Sequence, residues 1–281
     1  MLPDETEARA KLRELFEREF EQFNALQLFS VALIPFPLKI QAHRGLDRAV
    51  VDVALGLYVK ACRQFRGIQL LSEAGLGSDA SALTRGLFET TLALKFVLAP
   101  RFVPRRNGKR LPNVKGKPLT VRFRARMYAA NLAFEKLRML DRWRATHGLK
   151  RKGVMALDTK AIEDSAQHAE GVLGAEWTAR LKSAKSYSGL NMRDLACSAN
   201  FRTSYETFYR MTSWPTHAVD ADAMFAAESI LDIAPSPRGI PQAIGWASLL
   251  ILQCCDLVNS QLRLGRDEEI RTWATRLGAR Q

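Results

Sequence analysis

The chain has 281 residues, of which 47% are hydrophobic, so it can bury a sizeable core and is not a disordered protein. It carries a net charge of +13, and its four cysteines show neither a zinc-knuckle nor a redox-motif spacing, so we expect reduced core thiols. The N-terminus is charged from the fourth residue and lacks an apolar signal region, which predicts a cytoplasmic protein.

Helical periodicity dominates the first hundred residues. Apolar side chains at three- and four-residue steps from Leu12 to Leu26 predict a first helix, which ends before the Pro-Phe-Pro stretch at 35–37. A long helix is predicted over 42–72. The glycine-containing stretch 75–79 breaks this pattern, and a third helix follows it and runs to Pro100.

A proline-containing basic stretch at 101–118 interrupts the helices and is predicted to form an exposed loop or hairpin. Helical patterns resume at Thr120 and include an apolar helix over 242–264 and a polar C-terminal helix at 267–281. About nine helices and no alternating strand outside the basic stretch predict an all-α fold. We expect a single-domain bundle over residues 1–281, with the basic stretch as an insertion.

Positive charge is concentrated between Arg101 and Lys152, where 17 Lys and Arg face only Glu135 and Asp141. Such a segment attracts polyanions in a salt-dependent way, so we predict contact with RNA or another nucleic acid. An acidic protein or an anionic membrane surface is the alternative partner, and a solvated charge cluster is the structural alternative. The predicted binding residues are Arg105, Arg106, Lys109, Arg110, Lys115, Lys117, Arg122, Arg124, Arg126, Lys150, Arg151 and Lys152.

Cofactor and membrane motifs lack support in the sequence. None of the four histidines has a carboxylate three residues earlier, as a di-metal helical bundle requires. A phosphate-binding Walker loop, a dinucleotide-binding glycine motif and a nucleophile elbow are also missing. The apolar stretch Ala243–Cys255 is shorter than the roughly 18 to 20 residues that cross a bilayer, so it predicts a buried helix. We expect no cofactor, no metal ion and no membrane span.

A helix break at Pro215 brings chemistry-bearing residues close together in the chain. Proline is tolerated in the first turn of a helix, and Ser213 can cap the helix that restarts there. His217 then lies near a helix N-terminus, which favours a bound phosphate and a neutral imidazole. Arg210, at the end of the preceding helix, can bind a phosphate through two hydrogen bonds. The alternative is a helix corner with a structural histidine and a surface arginine.

A second candidate is the charge pair Arg85 and Glu89. Their four-residue spacing puts both on one helix face, on a stripe that continues with Leu92 and Phe96. Charges in apolar surroundings need partners, so we expect the pair to hydrogen-bond to each other or to a group from another helix. A structural ion pair and a catalytic site both explain the pattern.

Three stretches, taken in order, resemble a bacterial all-helical family of unknown function. They are LTRGLFETTLALKFVL, WTARLKSAKSYSGLNMRDLA and YETFYRMTSWPTH. The family pattern is an Arg-x-x-x-Glu helix, a Trp-led segment with an Arg-containing helix, and a Tyr-Tyr-Ser-His helix corner. The matching residues are Arg85, Glu89, Trp177, Arg193, Tyr205, Tyr209, Ser213 and His217. Tyr205 and Tyr209 are separated by one residue more than in that pattern.

The separation of Arg210 and His217 by six residues also resembles the motif of the HEPN superfamily of small helical bundles. Met211 and Pro215 depart from the motif. The resemblance implies metal-independent RNA cleavage, a homodimer in which two Arg–His sets face one cleft, and the role of a toxin or phage-defence effector. It also implies attack of the RNA 2′-hydroxyl on the adjacent phosphate.

These observations lead to a hypothesis of RNA cleavage, with Arg85 and Glu89 as further candidate catalytic residues. His217 would act as general acid or base, Arg210 would stabilise the charge on phosphorus, and Tyr209 or Ser213 would orient the phosphate. The main alternative is a non-catalytic module that binds nucleic acid or a protein partner, with the same polar residues forming a buried network. A helical adaptor or antitoxin that docks an acidic protein is the third hypothesis.

Overall fold

The computed structural model describes residues 5–34, 47–100, 102–107, 109–110, 119–147, 159–184, 186–210 and 237–278. Within these ranges the regular structure is helical except for one pair of two-residue strands, so the predicted all-α class is confirmed. The α-helices are α1 (Glu5–Leu15), α2 (Glu17–Ala32), α3 (Arg48–Glu73), α4 (Gly77–Leu98), α5 (Val121–His147), α6 (Thr159–Leu173), α7 (Ala175–Ala184), α8 (Met192–Ser198), α9 (Arg202–Ser204), α10 (Ile240–Leu262) and α11 (Asp267–Arg276).

The predicted break after the second long helical pattern is confirmed, and backbone geometry explains its glycines. Gly75 has a φ of 79°, in the left-handed region, and the N–H of Leu76 donates to the carbonyl of Leu71 at 2.8 Å. This is the Schellman ending of a helix, which favours glycine. At Gly77, a Cβ atom would lie 1.9 Å from the carbonyl oxygen of Arg238, so no larger residue fits without displacing that backbone.

The chain divides into two compact units. Unit 1 comprises Met1–Leu46, Ala54–Lys95 and Phe201–Gln281, and unit 2 comprises Asp47–Val53 and Phe96–Asn200. Helices α3 and α4 each contribute residues to both units. That the whole chain forms a single domain stays a prediction.

In unit 1, α10 packs against α2 and α11 and supplies much of the apolar core. The Tyr58 hydroxyl donates to the carbonyl of Ser30 at 2.6 Å and lies 3.2 Å from Cys255 Sγ. Burial raises the pKa of the Cys254 thiol to about 12 and that of Cys255 well above its ordinary value. Both side chains are fully buried, so these two cysteines are protonated core thiols, as predicted.

Helix α10 is also the one helix, among the residues described, that is long and apolar enough to cross a membrane. However, 61% of its most apolar window is buried inside the protein. Buried side chains occur along its whole length, which is typical of a core helix. The prediction of a buried helix over Ala243–Cys255 is therefore confirmed.

In unit 2, α5 packs against α6 and α7. Phe123 on α5 meets Trp177 on α7 edge to face, with ring centroids 5.7 Å apart. Arg144 on α5 donates to Glu163 on α6 at 2.8 Å. These contacts fix α5, which carries part of the predicted basic region.

The basic stretch contains an antiparallel hairpin in unit 2. Strand β1 (Arg105–Arg106) pairs with β2 (Lys109–Arg110), with Arg105 opposite Arg110 and Arg106 opposite Lys109. Asn107, in the turn, has a φ of 51°, a left-handed conformation that asparagine adopts more readily than most residues. The predicted loop or hairpin is a hairpin over these residues.

Candidate functional site

Three side chains from distant parts of the chain form a hydrogen-bonded network in unit 1. Arg85 and Glu89 lie one turn apart on α4, with 3.6 Å between Arg85 Nε and Glu89 Oε1. The Tyr209 hydroxyl accepts a hydrogen bond from Arg85 Nη2 at 3.0 Å and donates one to Glu89 Oε1 at 2.8 Å. Tyr209 is thus the partner from another helix that the Arg85–Glu89 pair led us to expect. We call these three residues the Arg–Glu–Tyr network.

The network is buried at its tyrosine and open at its carboxylate. Tyr209 is 7% exposed, whereas the side chains of Arg85 and Glu89 are 21% and 42% exposed. The guanidinium carbon of Arg85 also lies 4.6 Å from the centroid of the Tyr209 ring, within the range of a cation–π contact. Tyr209 therefore holds a guanidinium and a carboxylate side by side, and both side chains are partly exposed to solvent.

A π-helical turn, Tyr205–Tyr209, carries Tyr209 to the network. The N–H of Arg210 donates to the carbonyl of Tyr205, five residues earlier, so this turn is wider than an α-helical one. The rings of Tyr205 and Tyr209 stack, with centroids 5.1 Å apart and an interplanar angle of 19°. Such turns occur frequently at functional sites.

Aromatic packing fixes the π-helical turn on α4. The ring of Phe88 lies 5.2 Å from Tyr209 and 5.8 Å from Phe201, edge to face in the second case. Phe208, next to Tyr209, stacks on Trp246 of α10 at 4.7 Å. Offset and edge-to-face rings stabilise such clusters beyond their buried area. The position of the Tyr209 hydroxyl is therefore set by its neighbours in the core.

The environment of Tyr209 keeps its hydroxyl protonated. Burial and the neighbouring Glu89 carboxylate raise the pKa of Tyr209 to about 12, although the Arg85 guanidinium acts in the opposite direction. At neutral pH the hydroxyl is a hydrogen-bond donor to the carboxylate and an acceptor for the guanidinium. This double role positions both charged groups.

We expect the free energy of unfolding to decrease as the pH rises from 10 towards 12. An unfolded tyrosine loses its proton near its ordinary pKa of 10.0, whereas folded Tyr209 keeps its proton until about 12. In this window the folded state binds more protons, so rising pH favours the unfolded chain. Urea unfolding at several pH values should show a shallower decline for Tyr209→Phe than for the native chain. The same slope in both proteins would contradict the protonation state assigned to Tyr209.

The predicted catalytic residues after Tyr209 are only partly described. Arg210 is exposed, and its Nη1 lies 3.2 Å from Glu206 Oε2, one turn earlier. Ser213 and His217 lie outside the described residues, so the predicted Arg210–His217 pair stays a prediction. Arg210 follows Tyr209 directly, and the chain thus links the Arg–Glu–Tyr network to the predicted helix corner.

In unit 2, the basic hairpin is anchored to α8. The N–H of Arg105 donates to Ser198 Oγ at 2.8 Å, and the N–H of Asn107 donates to Asp194 Oδ1 at 2.9 Å. Asn191 caps α8 by accepting a hydrogen bond from the N–H of Asp194 at 2.8 Å. Asp194 is buried, so these bonds hold the hairpin backbone in a fixed place on the unit.

The hairpin presents basic side chains to solvent. Arg105 and Lys109 are exposed, and the backbones of Arg106 and Arg110 complete the two strands. Because the anchoring bonds use backbone N–H groups, the charged ends of Arg105 and Lys109 stay available to a polyanion. The other predicted binding residues of the basic loops, which lie outside the described residues, are Lys115, Lys117, Lys150, Arg151 and Lys152.

On α5, Arg122 and Arg126 surround Asp47. Arg122 Nε forms an ion pair with Asp47 Oδ2, and Arg126 Nη2 lies 3.8 Å from the same oxygen. The side chain of Arg122 remains 63% exposed, and that of Arg126 37% exposed. Asp47 also caps α3 by accepting a hydrogen bond from the N–H of Ala49 at 2.9 Å. Both arginines therefore combine a structural contact with a surface position.

Arg124 has a different environment from its two neighbours. It is fully buried, and its guanidinium donates to the carbonyls of Phe96, Val97, Ala99 and Leu119. Burial lowers the pKa of Arg124 to about 10, so the group is still charged at neutral pH. The last carbonyls of a helix have no hydrogen-bond donor within the helix. At the end of α4, the Arg124 guanidinium is that donor. Arg124 therefore lies in the interior of unit 2. Unlike the other predicted binding residues on α5, it is not on the surface where RNA could contact it.

No local sequence pattern indicated the hairpin anchors or the stacking of Tyr205 on Tyr209. Asp194 and Ser198 were part of a predicted helix without an assigned role, and Tyr205 was only one residue of a family pattern. Across the described ranges, no three His, Cys, Asp or Glu side chains are grouped as a metal site would need. The expectation of no resident metal ion and no cofactor stays a prediction.

Fold and site together define a class of all-helical protein in which a tyrosine from a π-helical turn holds an Arg–Glu pair on another helix. The chain belongs to DUF5677, a family of unknown function, whose model matches residues 51–228, more than half of the chain. The matched range contains the Arg–Glu–Tyr network and the basic hairpin. No curated protein and no solved structure matches the chain. Membership of a family of unknown function is confirmed, whereas the family pattern and the HEPN resemblance stay predictions.

Proposed function

We propose that the protein binds RNA and cleaves it without a metal ion. The observation that carries the proposal is the Arg–Glu–Tyr network, which holds a carboxylate and a guanidinium together at a partly exposed position. Arg210 follows the network directly in the chain, and its resemblance, with His217, to the HEPN motif supports this class of reaction. In phosphate-ester cleavage a base removes a proton and a positive charge stabilises the phosphate. The network places a carboxylate and a guanidinium side by side for these two tasks.

The proposed reaction is an internal transfer at phosphorus. The RNA 2′-hydroxyl loses its proton to a base and attacks the adjacent phosphorus, and the bond from phosphorus to the 5′-oxygen of the next nucleotide breaks. A general acid protonates that oxygen, so the products are a 2′,3′-cyclic phosphate and a 5′-hydroxyl. His217 is the general acid or base, and Arg210 stabilises the charge that develops on the phosphate oxygens.

The Arg–Glu–Tyr network supplies the remaining groups in this proposal. Arg85 binds the phosphate, and Glu89, whose side chain is 42% exposed, takes part in proton transfer. Tyr209 is a positioning residue, because its hydroxyl already bonds to both of them. The sequence led us to expect that Tyr209 or Ser213 orients the phosphate. Because Tyr209 positions Arg85 and Glu89, we assign this role to Ser213.

RNA binding is assigned to the basic surface of unit 2, formed by the hairpin residues Arg105 and Lys109 and the α5 residues Arg122 and Arg126. Their charges attract phosphates, and the anchored hairpin backbone reduces the entropy cost of ordering them on binding. The HEPN resemblance adds a homodimer and the role of a toxin or phage-defence effector to the proposal, and a cytoplasmic location stays a prediction.

A non-catalytic nucleic-acid-binding or protein-binding module is the second candidate. Two observations favour it: the Arg210 guanidinium is already paired with Glu206, and Tyr209 is buried. A buried polar network that only fixes a helix corner would have these properties. This candidate predicts binding without any cleaved product.

Reversing the charge of Lys109 should weaken RNA binding and reduce its dependence on salt. Each phosphate contact on a single strand contributes about 0.7 to the slope of log affinity against log salt concentration. Fluorescence anisotropy with an RNA oligonucleotide at several salt concentrations would compare Lys109→Glu with Lys160→Glu, the same change at an exposed residue of α6. Equal loss in both variants would show that only net charge matters and would contradict binding at the hairpin.

Glu89→Gln tests the proposed function at the network itself. We expect cleavage of end-labelled RNA in the presence of a chelator to fall about 100-fold, because glutamine cannot transfer a proton and loss of a general acid or base costs about 100-fold or more. Glu5→Gln is the matched control, because Glu5 also pairs with an arginine four residues away, on α1. Thermal unfolding of both variants shows whether Glu89 is needed for stability, as a structural ion pair would be, or only for cleavage. A stable Glu89→Gln protein that cuts RNA at the native rate would refute the assignment.

A further inference from the structure

Tyr205 extends the aromatic cluster of unit 1 from its core towards solvent. Phe88 is fully buried, Tyr209 is 7% exposed, and Tyr205 is only half-buried. The three rings lie in sequence, with centroid distances of 5.2 Å and 5.1 Å, and the rings of Tyr205 and Tyr209 are nearly parallel. Among the described residues, Tyr209 is the one ring that Tyr205 contacts. One end of this row of rings is thus packed, and the other carries an aromatic side chain with accessible surface.

We propose that Tyr205 is a stacking platform for a base of single-stranded RNA. This inference rests on the proposed function and names its substrate class. Every base has a flat face that stacks on an aromatic ring, so such a platform binds RNA with little sequence preference. A base within a duplex is already stacked on its neighbours, so only an unpaired base can reach the ring.

The position of Tyr205 connects the ring that would bind a base with the groups that would bind the reacting phosphate. The N–H of Arg210 donates to the Tyr205 carbonyl, so the two residues are one turn apart on the same π-helical turn. Tyr205 also stacks on Tyr209, which bonds directly to Arg85 and Glu89. From these connections we infer that a base on Tyr205 places its own backbone phosphate near the guanidinium groups of the network and of Arg210. Tyr205 is a specificity-determining residue in this account, because it selects unpaired RNA.

Tyr205 can be tested by binding alone, without relying on cleavage. The probe is a short unstructured RNA whose 2′-hydroxyls are all methylated, so that it cannot undergo the proposed reaction, and which carries one fluorescent purine analogue. Stacking of the analogue on an aromatic side chain quenches its fluorescence. The native chain, Tyr205→Leu, Tyr205→Phe and Tyr205→Trp are compared for affinity and for quenching as the analogue is moved along the probe.

We expect Tyr205→Leu to bind the probe about tenfold more weakly and to lose the quenching at one position, since stacking on one aromatic side chain has an effect of this size. Tyr205→Phe should behave like the native chain, and Tyr205→Trp should bind at least as tightly. The same probe annealed to its complement should bind all four proteins equally. Unchanged affinity and quenching in Tyr205→Leu would overturn the inference.

Two further outcomes keep the test decisive. If thermal unfolding shows that Tyr205→Leu is not folded, Tyr205→Trp is the deciding variant. Native or tighter binding of the probe with stronger quenching supports the stacking platform. Weaker binding overturns it. A native chain that binds and quenches the probe but leaves ordinary RNA intact would retain the stacking platform and refute the proposed cleavage. Failure of the inference and failure of the proposed function are therefore distinguishable.

Discussion

Replacing Arg124 with leucine should lower the unfolding free energy by about 3 to 5 kcal/mol, the range found when one partner of a buried charged interaction is removed. Arg124 is fully buried and donates to carbonyls at the end of α4 and at Leu119. Leucine fills part of the space but donates no hydrogen bond. The carbonyls would remain buried without partners, which costs more than exposing them to water.

Arg142→Leu is the matched control for Arg124→Leu, because Arg142 is an exposed arginine on the same helix. We expect this change to alter stability by less than about 0.5 kcal/mol. Urea unfolding followed by circular dichroism measures both variants. Similar small effects at the two positions would show that the Arg124 guanidinium is not required at the end of α4.

Replacing His217 with alanine should have the largest effect on activity. A general acid or base contributes about 100-fold to 10,000-fold to the rate, so we expect RNA cleavage to decrease by a factor in this range. RNA affinity should remain close to native, because the basic surface of unit 2 is unchanged. Cleavage rates at saturating protein and binding by anisotropy separate these two quantities.

His168→Ala is the control for His217→Ala. His168 is exposed on α6, so its removal should leave cleavage unchanged. A His217→Ala protein that still cuts RNA at the native rate would remove histidine from the mechanism. In that case the Arg–Glu–Tyr network would have to act without it.

Much of the helical fold could be predicted because apolar periodicity and glycine breaks are local signals. The end of α3 at Glu73 and the start of α4 at Gly77 match the predicted break. By contrast, the predicted first helix is two helices, α1 and α2, separated at Phe16. Its apolar stripe continues through Phe16, so the pattern alone contained no signal for a break.

The different environment of Arg124 could be predicted from helix geometry. Residues two apart on a helix point in nearly opposite directions, whereas residues four apart share a face. Arg122 and Arg126 therefore lie together beside Asp47, and Arg124 points away from them into the interior. Treating the three arginines as one charged surface overlooked this periodicity.

The Arg–Glu–Tyr network could be anticipated only in part. The spacing of Arg85 and Glu89 predicted a bond between them or to a group from another helix, but no local pattern identifies Tyr209 across more than a hundred residues. Tyr209 lies in a π-helical turn, and its ring packs on Phe88 from α4. Such tertiary contacts override local propensity, so they required the structure.

The most direct test of RNA cleavage compares two substrates with the native chain in the presence of a chelator. One is a single-stranded RNA, and the other is the same sequence with deoxyribose at every position. We predict that the RNA is cut into fragments ending in a 2′,3′-cyclic phosphate and a 5′-hydroxyl, which mass spectrometry identifies, while the deoxy strand stays intact. Recovery of both strands intact from protein that has bound them, or cleavage only after a metal ion is added, would contradict the proposed reaction.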